Sequence, residues 1–233
     1  MGGFRSDISA FLDDEIIERV TDYSRPLEIP PRSGIQYSAG VDPSAGRHDH
    51  FCICIGHREG SGDGSYYVAD VVRGVAPPFD PQSVASEYAA LLKEYKVHTI
   101  TGDNYSAEWV VSAFTKQGIK YIRSELPKSQ LYLEMLPYFM RQNLSIPAHA
   151  KLIRELRLLE RRTSRMGKDL IDHGPLGSDD YANALAVALR CLTSAIDVSL
   201  SWVSGTEDEN KDGKQSHGAQ MLTNYLASRG IYV

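Results

Sequence analysis

Three places in this chain set an aspartate where a carboxylate could do chemistry. Asp42 closes the run Gln36-Tyr37-Ser38-Ala39-Gly40-Val41 and is followed by Pro43 and Gly46. Proline cannot donate to a sheet ladder and glycine permits a turn, so a strand is expected to end at this acid. Asp103 closes a second run, Val97-His98-Thr99-Ile100-Thr101-Gly102. Asp179 and Asp180 follow Ser178 at the head of an alanine-rich stretch that reaches Leu192. Ser178 suits a helix N-cap, and acids in a first turn suit the helix dipole. If the two strands are neighbours, their acids leave the same sheet edge, and a helix starting there brings the third. Carboxylates gathered in this way repel one another, and a divalent cation compensates. Oxygen-only ligands favour magnesium or manganese over zinc. Two such ions, roughly 4 Å apart, can clamp the attacking water and the leaving oxygen of a phosphodiester. The alternative for each acid alone is a turn or helix cap. Asp49, between His48 and His50 in the turn after Asp42, is either an auxiliary ligand or an exposed loop acid.

The elements that would carry these acids follow from the pattern along the chain. Residues 4–24 repeat apolar side chains at helical spacing (Ile8, Phe11, Leu12, Ile16, Val20) and are expected to form one helix. Pro26, Pro30 and Pro31 then mark an extended connector. Strands are expected over 36–42, 51–57 and 66–72, an antiparallel meander. Cys52 and Cys54 alternate with isoleucine and would share one buried face as reduced thiols. Helices are expected from Gln82 and over 107–116, the latter stopped by Gly118, with strands at 97–103 and 119–122. A helix over 129–141 should bend or end at Pro137, and 143–149 reads as a loop. Residues 150–161 form an amphipathic pattern with Leu152, Ile153, Leu156 and Leu159 inward and Arg154, Arg157 and Arg161 outward. Residues 164–172 suit a strand or hairpin arm. The polar, acidic stretch 204–218 is expected to lack order. Strands alternating with helices after a hairpin set imply an α/β fold, a mixed β-sheet flanked by helices.

A chain of 233 residues, 42% hydrophobic, has room for one sizeable core. No run approaches the roughly 20 apolar residues that span a bilayer, and the N-terminus lacks a signal peptide's apolar centre. Net charge is −5, yet eleven basic residues face only four acids between Lys120 and Lys168. That local excess suits a polyanion, and Arg154, Arg157, Arg161, Arg162, Arg165 and Lys168 are the candidate phosphate contacts; the plainer alternative is a solvated face with ion pairs. The Gly-x-x-x-x-Gly-Lys-Ser/Thr, Gly-x-Ser-x-Gly and His-Glu-x-x-His motifs are all absent.

Ala39-Gly40-Val41-Asp42-Pro43-Ser44, Thr101-Gly102-Asp103-Asn104-Tyr105 and Gly177-Ser178-Asp179-Asp180-Tyr181-Ala182-Asn183-Ala184-Leu185 together resemble the nuclease domain of tailed-bacteriophage large terminase subunits. The resemblance spans about residues 36–195 and implies an RNase H-like (RuvC-like) fold. It implies a Mg²⁺- or Mn²⁺-dependent endodeoxyribonuclease that cuts concatemeric double-stranded DNA with two metal ions during genome packaging. Asp42, Asp103 and Asp180 would be the catalytic metal ligands, with Asp179 the competing choice for the third place. Asp49 matches a loop position where some members keep an accessory acid. Asn183 stands where many relatives carry another acid, so no ligand role is carried onto it. Implied partners are an ATPase domain, a small terminase subunit and a portal protein, in the cytoplasm of an infected host cell, with no membrane.

On this resemblance residues 1–33 would be the junction to an ATPase domain, 34–200 the nuclease domain, and 201–233 a flexible acidic tail with a short C-terminal segment. No Walker motif is present in the chain, so it could cut DNA but not translocate it. Two other readings stay open. One is a RuvC-like junction resolvase or transposase-type nuclease on the same fold. The other is a non-catalytic packaging or interaction module whose acids are structural caps.

Overall fold

A computed structural model describes residues 8–103, 108–163, 169–175 and 177–204. Arg165, Lys168, all but the first residue of the stretch 204–218 expected to lack order, and the C-terminal segment lie outside the described residues. Residues up to Ile196 form one compact unit; Asp197–Val233 form a second, described only for its helical residues 197–204.

Sequence order is β1 (Ile8–Ala10), α1 (Asp14–Val20), β2 (Thr21–Asp22), β3 (Tyr37–Asp42), β4 (Phe51–Glu59), β5 (Tyr66–Val75), α2 (Pro81–Glu94), β6 (Thr99–Gly102), α3 (Glu108–Lys116), β7 (Lys120–Arg123), α4 (Lys128–Met140), β8 (Leu144–Pro147), α5 (Ala150–Leu158), β9 (Leu159–Thr163), β10 (Asp169–His173) and α6 (Asp180–Ser204). Seven strands make one mixed sheet in the order β2-β8-β5-β4-β3-β6-β7. β3, β4 and β5 form the expected antiparallel meander, and β6 joins β3 in parallel. Alternation along β4 splits the core in two. Cys52 and Cys54 face a cluster built with α1, α4, α5 and α6, while Ile53 and Ile55 face one built with α2 and α3. The result is a three-layer α/β/α domain with the mixed sheet in the middle.

α6 lies directly on the sheet. A Cβ added at Gly40 would sit 2.4 Å from the Ala188 backbone nitrogen and 2.7 Å from the Ala184 carbonyl oxygen. The alanines of α6 and the glycine of β3 therefore let main chain meet main chain. Gly40→Ala is expected to cost at least about 2 kcal/mol, since backbone and not a pliable side chain must yield. That corresponds to a Tm loss of roughly 4–8 °C. A melting curve that superimposes on the wild type would show that α6 is free to shift.

Several elements depart from the sequence expectations. The expected single helix over 4–24 is not formed: among its described residues, 8–24, Asp14–Val20 alone is helical, flanked by β1, which pairs with β9, and β2, which pairs with β8. Phe11, Leu12, Ile17 and Val20 are buried, so this segment is built into the core. The stretch 143–149 contains a strand, β8, buried between β5 and β2. Four residues are too few to show a period. Pro137 does not stop α4, which continues to Met140. The helix expected over 150–161 ends at Leu158, because Leu159–Thr163 pairs with β1 and β10. Leu159 keeps the helical apolar rhythm but is buried from a strand.

Candidate functional site

β3 and β6 run parallel with Gly40 opposite Thr101 and Val41 opposite Gly102. Asp42 and Asp103 thus leave adjacent strands at the same edge. The N-terminus of α6 arrives there too, and Asp42, Asp49, Asp103, Asp179 and Asp180 line one cleft of about 400 Å³. Every acid that the sequence singles out is brought to this cleft. Asp49 is exposed at its rim, Asp42 and Asp103 are half-buried, and Asp179 and Asp180 are buried.

Ser178 does not cap α6. The helix starts at Asp180, and its cap comes from α5: Glu155 Oε2 accepts from the backbone N–H groups of Tyr181 (2.7 Å) and Ala182 (3.0 Å), while the Ser178 hydroxyl donates to Glu155 Oε1 (3.0 Å). First-turn N–H groups have no partner within their own helix, and a carboxylate there also meets the positive end of the dipole. With that duty taken by Glu155, the side chains of Asp179 and Asp180 are turned to the cleft. Burial pushes the Glu155 carboxyl up to about 7 despite these bonds. The signal available in the sequence was an acid inside the apolar stripe Leu152, Ile153, Leu156 of α5.

The two adjacent acids have different surroundings. Asp179 Oδ2 accepts from the Tyr132 hydroxyl and the Lys128 ammonium, both at 2.9 Å, and His173 Nε2 lies 3.8 Å from its other oxygen. Lys128 also binds Asp172 at 2.8 Å. Burial would lower the Lys128 pKa, but these acid bonds win and keep it raised. Asp172, His173 and Asp179 could by their spacing hold a metal ion, and the lysine ammonium already supplies positive charge to two of them. Sequence reasoning passed over Lys128, Asp172 and His173. Asp180 Oδ2 accepts from the His50 backbone N–H at 2.9 Å, with the His50 ring Nδ1 at 3.3 Å. Its carboxyl is raised by burial, an effect opposed by the His50 N–H and reinforced by Asp49 and Asp179.

Asp42 is held well above the usual carboxylate range, first by burial and next by Asp180, with Asp179 and Asp103 adding to the repulsion and an Asn183 hydrogen bond opposing it. Asn183 lines the same cleft, is buried, and keeps its Oδ1 without a hydrogen-bond partner. An oxygen-rich donor set, carboxylates that resist ionising together and an orphaned amide oxygen all fit a hard divalent cation.

These shifts set a pH dependence. A carboxyl raised in the folded state binds more protons than the unfolded chain between its ordinary pKa and its folded one, so stability falls as pH rises through that window. For Glu155 the window runs from 4.5 to about 7, on the order of 3 kcal/mol. His57, raised chiefly by Asp70 against its burial, acts in the same direction above 6.5; His149, lowered by burial, opposes. The lowered acids Asp22, Asp80 and Asp169 have their windows below 3.8. In EDTA the protein is expected to melt higher at about pH 5.5 than at about pH 7.5. A Tm that climbs over that interval would contradict the placement of these acids.

The basic candidates divide. Arg154 is exposed on α5 beside the cleft. Arg157 pairs with Asp14 and Glu18, Arg161 with Asp169, and Arg162 with Glu160. Arg161 and Arg162 sit on β9, not on the face of α5 where the sequence pattern put Arg161.

No protein-family model and no curated protein matches the chain. Solved structures do. The large terminase nuclease from thermophilic phage G20c aligns with a TM-score of 0.61 at 18% identity, over 75% of this chain and 95% of that one. The Thermus phage P74-26 large terminase nuclease domain aligns at 0.60 and 15%, over 87% and 98%. The HK97 bacteriophage large terminase aligns at 0.60 and 13%, over 79% of this chain and 44% of that one. The G20c nuclease has been solved with bound magnesium, cobalt and zinc. The chain thus has the fold of large terminase nuclease domains, with its gathered acids at one edge of the sheet.

Proposed function

We propose that this chain is the nuclease domain of a tailed-phage large terminase: a Mg²⁺- or Mn²⁺-dependent endonuclease that cuts double-stranded DNA during genome packaging. The observation that carries the reading is the convergence of Asp42, Asp103 and Asp180 at one sheet edge on this fold. Those three would hold the metal, two ions in the full reaction. Asp180 takes the third place over Asp179 because Asp179 is already bound by Lys128 and Tyr132, whereas Asp180 is the largest repulsive neighbour of Asp42. Asp179 then anchors the α6 start, and Asp49 acts as an accessory acid at the rim. Bound divalent ions supply the charge that activates water at phosphorus and stabilises the leaving 3′-oxygen. The protein's own part is to hold the carboxylates on two strand ends and a capped helix, supports that do not drift. Partners on this reading are duplex DNA, the ATPase motor domain, a small terminase subunit and the portal, in the host cytoplasm. Among the described residues no helix is long and apolar enough to cross a membrane.

The test is plasmid digestion with Mn²⁺, Mg²⁺ or EDTA, comparing wild type with Asp103→Asn and Asp180→Asn. Ion-dependent cleavage lost in both variants is the expected result. Preference for a four-way junction over plain duplex would move the assignment to a resolvase. Absence of both cleavage and Mn²⁺ binding would leave the acids as structural caps.

A further inference from the structure

Beside the acid cleft lies a second one, of about 300 Å³, lined by His50, Lys151, Arg154, Glu155, Leu158, Gly177 and Ser178. The two clefts share the Gly177–Ser178 wall. Their charges are opposite. Among the described residues Glu155 is the one acid in the second cleft's lining, and its carboxylate is taken up by Tyr181 N–H, Ala182 N–H and Ser178. Lys151 and Arg154 stand exposed with no acid paired to either among the described residues, unlike Arg157, Arg161 and Arg162. Lys151 is held in place without an acid. Its ammonium meets His50 Nε2 at 2.7 Å and lies 5.8 Å from the centre of the Tyr181 ring. His50 in turn reaches Asp180 through its backbone N–H and Nδ1. One short chain of contacts, Lys151 to His50 to Asp180, therefore joins the basic cleft to the acid one.

We propose that the basic cleft seats a backbone phosphate of duplex DNA next to the one being cut, with Lys151 and Arg154 as its cations and His50 as the shared wall. The proposal rests on the nuclease reading and adds a subsite to it. A strand crossing the Gly177–Ser178 wall has one phosphate among cations and its neighbour over the carboxylates. The cations hold the strand without help from a metal ion, so duplex binding by this cleft persists when divalent ions are removed. The contact is to phosphate, which positions the strand without reading its sequence.

The experiment is fluorescence anisotropy of a short labelled duplex in EDTA, from 50 to 200 mM salt. Wild type is compared with Lys151→Ala/Arg154→Ala and with Lys93→Ala/Lys116→Ala. The second pair removes the same charge from exposed positions on α2 and α3, across the sheet. For the cleft pair we expect affinity about tenfold lower at the lowest salt, for any duplex sequence, and a log–log salt slope shallower by about 0.9 per lost phosphate contact. The control pair should shift neither by as much. An unchanged melting temperature and unchanged Mn²⁺ binding show that the cleft variant is folded with its acid site intact. Equal behaviour of the two pairs would overturn the subsite while leaving the nuclease standing. No binding by the wild type at any salt, together with no cleavage, would overturn both.

Discussion

Asp42→Asn is expected to abolish ion-dependent cleavage and to leave a protein that melts higher than wild type in EDTA. The two effects share one cause. The Asp42 carboxylate is disfavoured first by burial and then by repulsion from Asp180, Asp179 and Asp103. An amide at that position keeps the shape and deletes the charge. In the absence of metal this removes a charge that burial and the neighbouring acids disfavour, so the variant's stability rises. At about 2–4 °C per kcal/mol for a domain of this size, the gain is readable by calorimetry. With Mn²⁺ added, the ranking should reverse, because a bound ion stabilises wild type in proportion to its occupancy and the variant cannot hold it. Cleavage should fall by far more than the roughly 10–100-fold that loss of an outer partner of a metal site costs. A variant that melts lower in EDTA, or that still gains stability from Mn²⁺, would place the cation elsewhere.

Glu155→Ala is expected to damage both the fold and the acid site from a position outside the acid group. It strips the cap from two backbone N–H groups and a hydroxyl in a buried setting. Unmet buried donors and the void together cost roughly 2–4 kcal/mol, a Tm loss of about 5–15 °C. The same loss loosens the turn that presents Asp179 and Asp180, so Mn²⁺ affinity is expected to drop by about 10–100-fold. Glu155→Gln separates the two contributions. It keeps an acceptor and the volume, so its stability near neutral pH should lie much closer to wild type, while the fall in stability between 4.5 and about 7 flattens because the titrating group is gone. If Glu155→Ala binds Mn²⁺ as tightly as wild type, α6 does not need its borrowed cap to aim the acids.

What could be read from the sequence was local. Asp42 and Asp103 each close a run expected to be a strand, and the parallel pairing of β3 with β6 makes that shared position a shared edge. The alanine run of α6 announced a close approach, which Gly40 completes. What escaped depends on partners far apart in the chain. Glu155 lies 26 and 27 residues from the N–H groups it caps. Lys128 reaches Asp172 and Asp179 only because α4 packs against the β9–β10 hairpin side of the domain. β8 was too short to show a period. The arginine row was misplaced for a different reason: a continuous apolar rhythm carried the helix reading through Leu159, whereas pairing with β1 and β10 turns the chain into a strand there. Half of the basic candidates then proved to be held by nearby acids, which net charge along a segment does not reveal.

The contact at Gly40 also bears on how such a domain diverges. The spacing between the β3 acid and the α6 acids is gauged where the Ala184–Ala188 turn rests on the backbone of β3. A gauge made of main chain keeps its length when Leu becomes Ile or Met in the layers around it. Mutational drift through the core is therefore decoupled from the distance between the carboxylates, provided two alanines and one glycine stay small.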